Sequence, residues 1–115
     1  MKKVYYLKTC DTCKRILKSL ELEGFEFQEI KNQPITLSQL EEMYALSDSY
    51  QSLFSRRAKK YAAMGLKDQT LSEIDIKQLI LSDYTFLKRP VIISGESIFI
   101  GSDKKNLSQL NEFFS

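Results

Sequence analysis

The chain reads as one α/β domain over residues 1–115, with a β-α-β half and a β-β-α half contributing two strands each to a four-stranded mixed sheet. Three observations predict this. Strand-like periodicity is confined to the two ends of the chain, and each end also carries one amphipathic helical segment. Between Asn32 and Tyr84 the strand signals give way to short helical blocks, a helical insertion over residues 34–84. A β-α-β unit in one sheet requires parallel strands with a right-handed crossover, and the first and last helices then pack on the sheet.

Each element has its own reason. Lys3 to Leu7 reads as a short strand, followed by Cys13, Ile16, Leu17 and Leu20 at helical spacing, with Asp11 or Thr12 near the start and Gly24 past the end. Phe25 to Ile30 alternates, with Phe25 and Phe27 inward and Glu26 and Gln28 outward. Thr36 with Gln39 forms a capping box ahead of Leu37, Leu40 and Tyr44. Arg56 to Met64 reads as a short helix stopped by Gly65, and Thr70 with Glu73 as a second capping box ahead of Ile76, Leu79 and Ile80. After Arg89-Pro90, the strands Val91–Ile93 and Ser97–Ile100 flank the turn Ser94-Gly95-Glu96. Ser102 or Asp103 caps a last helix whose apolar face is Leu107, Leu110, Phe113 and Phe114.

Composition removes several chemistries. With no histidine the chain holds no Ser-His-Asp or Cys-His pair and no HExxH metal site, and two cysteines alone do not complete a four-ligand zinc site. No metal or tightly bound organic cofactor is expected. A net charge of +2 is too small to imply direct nucleic-acid binding, and the phenylalanines and tyrosines are assigned mainly to core faces. The longest apolar runs, such as Val91-Ile92-Ile93, are far too short for a membrane span or a signal-peptide core. The expected location is the cytoplasm, where two cysteines close in sequence favour redox or ligating roles over a structural staple.

The strongest local signal is Cys10-Asp11-Thr12-Cys13, placed where the first strand hands over to the first helix. Unpaired N–H groups and the positive end of the helix dipole favour a thiolate there, and Lys8, Lys14 and Arg15 add positive charge. Cys10 falls at the exposed turn and Cys13 one turn along, on the apolar face, so Cys10 reads as the nucleophile and Cys13 as the resolving thiol. The same spacing also fits half of a metal site shared with another chain, and Cys13 alone fits a small core residue. The β-α-β context favours the redox reading. Arg56-Arg57 with Lys59-Lys60 and Lys88-Arg89-Pro90 are two further clusters. A solvated helix face accounts for the first equally well, but arginine is the side chain that binds tetrahedral oxyanions in bidentate fashion. The Arg89-Pro90 junction at the entry to a strand is a place where a fixed turn presents backbone to a thiol.

Taken together, Cys10 at a helix start, a helical insertion, Ser55-Arg56-Arg57, and Lys88-Arg89-Pro90 before a hairpin and last helix resemble the arsenate reductase and Spx family, over nearly the whole chain. The resemblance implies a thioredoxin-like, glutaredoxin-like fold with Cys10 as nucleophile, Arg57 and Arg89 as oxyanion-binding or thiolate-stabilising groups, and Pro90 structural at the site. It implies a small oxyanion or disulfide substrate and an external thiol donor, either glutathione with glutaredoxin or thioredoxin. Two departures stand out. Glutaredoxin-linked arsenate reductases usually carry one motif cysteine and a further arginine after the last strand, whereas this chain adds Cys13 and has Ile100-Gly101-Ser102 there. The paired cysteines are similar to Spx, a redox-sensing transcriptional regulator that binds RNA polymerase, although Ser49-Tyr50 stands where Spx proteins carry a partner-contacting glycine. An arsenate reductase-like thiol-disulfide oxidoreductase is the leading expectation, and Spx-like regulation the alternative.

Overall fold

In a computed structural model that describes residues 1–114, the order of elements is β1 (Lys2–Tyr6), α1 (Asp11–Lys18), β2 (Glu26–Glu29), α2 (Leu37–Ser47), α3 (Lys59–Ala63), α4 (Glu73–Ser82), β3 (Val91–Ser94), β4 (Ser97–Ile100) and α5 (Lys104–Phe113). Short 3-10 turns fall at Gln51–Leu53, Leu66–Asp68 and Tyr84–Phe86. The chain divides into two compact units, one formed by residues 1–34 with 89–115 and the other by residues 35–88. The expected β-α-β, helices, β-β-α order is therefore observed.

The first unit is built on the mixed sheet, in the order β2-β1-β3-β4. β1 runs parallel to β2 and antiparallel to β3, and β3 and β4 form the antiparallel hairpin. Ser94 pairs with Ser97, so the turn is Gly95-Glu96, and Gly95 takes a φ of +61° that a side chain would resist. On one face Val4, Ile92 and Phe99 pack with Ile16 of α1 and Leu110 of α5 in a buried cluster. The other face is buried as well. Tyr5, Gln28, Val91 and Ile93 lie on it, and so does Lys3, whose Nζ donates to Glu26 Oε1 at 2.9 Å.

That two-sided burial corrects the alternation read for β2. Phe27 is 47% exposed and Gln28 only 2%, the reverse of the expected in and out. Phe27 stands beside Val4 on the helix-packed face, but β2 is an edge strand, so the ring reaches only the rim, edge-on to Tyr6 at 6.0 Å. Gln28 lies opposite Tyr5 on the second buried face, and its amide donates to the Gln33 carbonyl at 3.0 Å. Phe113 is likewise 49% exposed, although its ring still meets that of Phe99 on β4 at 5.0 Å. α1 ends at Lys18, earlier than Leu20 and Gly24 imply, because the Ser19 N–H and Oγ both turn back to the Ile16 carbonyl.

The second unit is an array of short capped helices. The Thr36–Gln39 box forms as expected, with Gln39 N–H donating to Thr36 Oγ1 at 3.1 Å and Thr36 N–H to Gln39 Oε1 at 3.0 Å. The box that opens α4 is Ser72 with Asp75, two residues beyond the Thr70–Glu73 pair. Glu73 instead accepts the N–H groups of Tyr50 and Gln51, each at 3.1 Å. α3 is shorter than residues 56–64, because Ser55 N–H is drawn to the Phe86 carbonyl at 2.7 Å and the chain turns through Arg56 and Arg57 before Lys59. Phe54 stacks on Phe86 at 5.4 Å in its interior.

Candidate active site

β1 ends at Tyr6 and the chain closes a tight turn, Leu7 to Cys10, with Cys10 N–H donating to the Leu7 carbonyl at 3.1 Å. Cys10 itself is then the N-cap of α1, not Asp11 or Thr12. Its carbonyl accepts from Lys14 N–H at 3.1 Å, and its Sγ accepts from Cys13 N–H at 3.4 Å. A sulfur in this position occupies the place where serine or aspartate oxygen normally satisfies an orphan helix donor. Charge placed on it faces the positive end of the helix dipole. Cys10 is partly exposed, and Lys8, Lys14 and Arg15 are exposed.

Cys13 has the opposite surroundings. It is completely buried on the inner face of α1. Burial pushes its thiol up to about 11, and the neighbouring Cys10 adds to the rise, while a hydrogen bond with the Leu7 backbone and the Arg89 charge oppose it. At neutral pH Cys13 is a neutral thiol. Both cysteines are free.

Arg89 and Pro90 enter the same unit at the head of β3, joined by a cis peptide bond. Arg89 is close enough for its charge to act on Cys13, and its Nε is buried. The Pro90 carbonyl accepts from Gly101 N–H at 2.9 Å. Gly101 is held in turn by Asn106, a 7%-exposed side chain that accepts Ile100 N–H at 3.1 Å and donates to the Gly101 carbonyl at 2.7 Å. Cys10, Cys13, Arg89 and Pro90 all belong to the first unit, and of the last two it is Arg89 whose charge reaches Cys13.

Arg57 belongs to the second unit, where it is exposed ahead of α3. Its basic neighbours are put to structural use there. The Arg56 guanidinium lies over the Phe54 ring at 5.8 Å, and Lys60 Nζ pairs with Asp83 at 2.6 Å. Among the described residues no group of three or more Cys, Asp or Glu is placed to hold a metal ion, and no helix is long and apolar enough to cross a membrane.

Sequence reasoning missed Glu29. Its carboxylate accepts Lys8 N–H at 2.9 Å, Lys31 N–H at 3.0 Å and Asn32 N–H at 2.8 Å. Slight burial works against ionisation, but these three donors and the Lys31 charge hold Glu29 below the usual carboxylate range. Asn106 was missed as well. A glutamate at a strand end and an asparagine in the first turn of a helix have no signature beyond ordinary polarity.

The ArsC family pattern matches residues 5–110. YusI of Bacillus subtilis (strain 168) is 31% identical over 102 residues, covering 84% of this chain and 86% of that protein. The global transcriptional regulator Spx of Lactiplantibacillus plantarum is 20% identical over 107 residues, covering 90% of this chain and 81% of Spx. An arsenate reductase from Vibrio cholerae superposes with a TM-score of 0.71 at 18% identity, over 96% of this chain and 97% of that one, a likeness of thioredoxin-like fold. Because the family match runs through both units, and not only through the half that holds the cysteines, this chain belongs to the ArsC family.

Proposed function

We propose that the protein is a thiol-disulfide oxidoreductase of the arsenate reductase type, in which Cys10 is the nucleophile and Cys13 the resolving thiol. The observation that carries the reading is the Cys10 sulfur at the N-cap of α1, accepting the Cys13 amide while Cys13 itself is buried and neutral. In the arsenate version, Cys10 displaces one oxygen of arsenate as water, giving a sulfur–arsenic bond. Attack by Cys13 on the Cys10 sulfur then breaks that bond, leaving its electron pair on arsenic. Arsenic(V) becomes arsenic(III), two thiols become one disulfide, and arsenite leaves.

Electrostatics supports the order of these steps. Burial, reinforced by the neighbouring Cys10, keeps Cys13 protonated, while Cys10 stands partly exposed at the helix start and reacts first. Arg89 supplies positive charge at the pair. The family resemblance gives Arg57 an oxyanion-binding role, which a rise in KM for Arg57→Ala would support. An external thiol donor, glutathione with glutaredoxin or thioredoxin, reduces the Cys10–Cys13 disulfide in this scheme.

A coupled assay tests it. Purified protein with either donor system is expected to consume reducing equivalents when arsenate or a disulfide is added, and Cys10→Ser to reduce this to background. No consumption above the Cys10→Ser level with any donor and substrate would sink the proposal. The paired cysteines and the Spx relative favour one second reading, a redox-sensing regulator that binds RNA polymerase. Its mark would be polymerase capture that changes on Cys10 oxidation in a protein without turnover.

A further inference from the structure

We propose that Glu29 is a positioning residue for Cys10, its carboxylate holding the turn that delivers the sulfur to the start of α1. The parallel ladder between β1 and β2 ends with Ile30 N–H donating to the Tyr6 carbonyl at 3.0 Å. The next rung from β1 would use Lys8 N–H. The strands part there, and Glu29 Oε2 takes that donor instead at 2.9 Å. Its other oxygen, Oε1, takes Lys31 and Asn32 N–H at 3.0 and 2.8 Å, fixing the chain as it leaves β2. One carboxylate therefore ties both strand exits together, with Lys8 inside the Leu7–Cys10 turn.

The consequence for the thiol follows from how short that turn is. Lys8 and Thr9 are its two central residues and both are exposed, so the Glu29 bond is a direct tether on it. Bonds from neutral amides to an ionised acceptor are the stronger kind, and three of them converge on this side chain. Acting only as a negative charge near Cys10, Glu29 would disfavour a thiolate; acting through the turn, it supports one. The two roles predict opposite signs when the side chain is removed.

The experiment compares Glu29→Ala and Glu29→Gln with the unaltered protein by amide hydrogen exchange, amide chemical shifts and the rate of Cys10 alkylation by iodoacetamide. In Glu29→Ala the Lys8 amide should lose about tenfold in protection, the Cys13 amide should shift, and Cys10 alkylation should slow about tenfold. Glu29→Gln keeps one acceptor oxygen, and its alkylation rate should stay within about threefold of the unaltered protein. An unchanged Cys13 amide and Cys10 rate in Glu29→Ala would overturn the proposal, as would faster alkylation in both variants. If Glu29→Ala does not fold, Glu29→Asp, too short to reach Lys8 from the same backbone, gives the same readouts. The alkylation readout rests on Cys10 being the reacting thiol, whereas the amide readouts do not. An inert Cys10 in the unaltered protein would defeat the proposed function and leave the Cys13 shift to decide the role of Glu29.

Discussion

The two units spend their polar side chains in different places. In the unit that holds the cysteines, side-chain hydrogen bonds converge on the loops where strands end. Glu29 takes the exit of β1, and Asn106 takes the exit of β4 next to the Pro90 carbonyl. In the helical unit they fall instead at the starts of short helices and turns, at Thr36, Ser72 and Asp83. A sheet satisfies its own backbone except at its edges and its ends, and chemistry placed at a strand end inherits donors and acceptors that something else must fix. Short helices leave orphan groups at every start, so capping is a cost they meet locally and repeatedly. If this contrast is right, one polar deletion in the first unit disturbs stability and the thiol site together, whereas one in the second unit costs a local cap.

The largest effect should come from Asn106→Ala. Its side chain is nearly inaccessible, and truncation leaves Ile100 N–H and the Gly101 carbonyl each short of a partner away from water. The expected loss is about 3 kcal/mol, read as a lower denaturation midpoint with an unchanged slope. Gly101 N–H also meets the Pro90 carbonyl, so Cys10 alkylation should change as well. A loss below about 1 kcal/mol would erase the contrast between the units.

Ser72→Ala is the matching probe in the second unit. It removes the acceptor for Asp75 N–H and should cost about 1 kcal/mol without altering Cys10 alkylation. A change in thiol reactivity would show that the separation of roles is false.

This second probe also marks where the sequence was legible. Ser72 and Thr70 both precede an acidic residue by three positions, so the capping pattern fitted twice within the same stretch. Only the tertiary bonds of Glu73 to Tyr50 and Gln51 decide between them. The strands, the hairpin glycine and the Thr36 box were readable because each depends on neighbours a few residues away. Alternation misplaces Gln28 because it reports that a strand has two faces, not that one of them is wet, and Phe27 because it does not show that β2 lies at the sheet edge. The position of Cys10 at a helix start was also readable, but its use as the cap was not, since sulfur is a weaker acceptor than the oxygens that normally cap. Glu29 and Asn106 were invisible for a further reason, as their bonds are set by where strands part in space.

The smallest effect concerns Asp83, the point in the second unit where a cap is also an ion pair. Lys60 Nζ and the Thr85 hydroxyl both donate to its carboxylate, and despite some burial these bonds lower it to about 2. The folded value lies below that of an unfolded aspartate, so the contribution is fully present above about pH 4 and is lost as pH falls through about 2. Lys60 is 60% exposed, and solvent screening limits the contribution to about 1 kcal/mol. Asp75 and Glu29 are also held low, so acid denaturation of the unaltered protein mixes several carboxylates. The stability difference between that protein and Asp83→Asn isolates this one. It should stand near 1 kcal/mol at pH 6 and shrink toward zero by pH 2. A difference that persists at pH 2 would mean that the packing of Asp83 beside Thr85, and not its charge, secures this cap, and the second unit would then owe its helix starts to hydrogen-bond geometry alone.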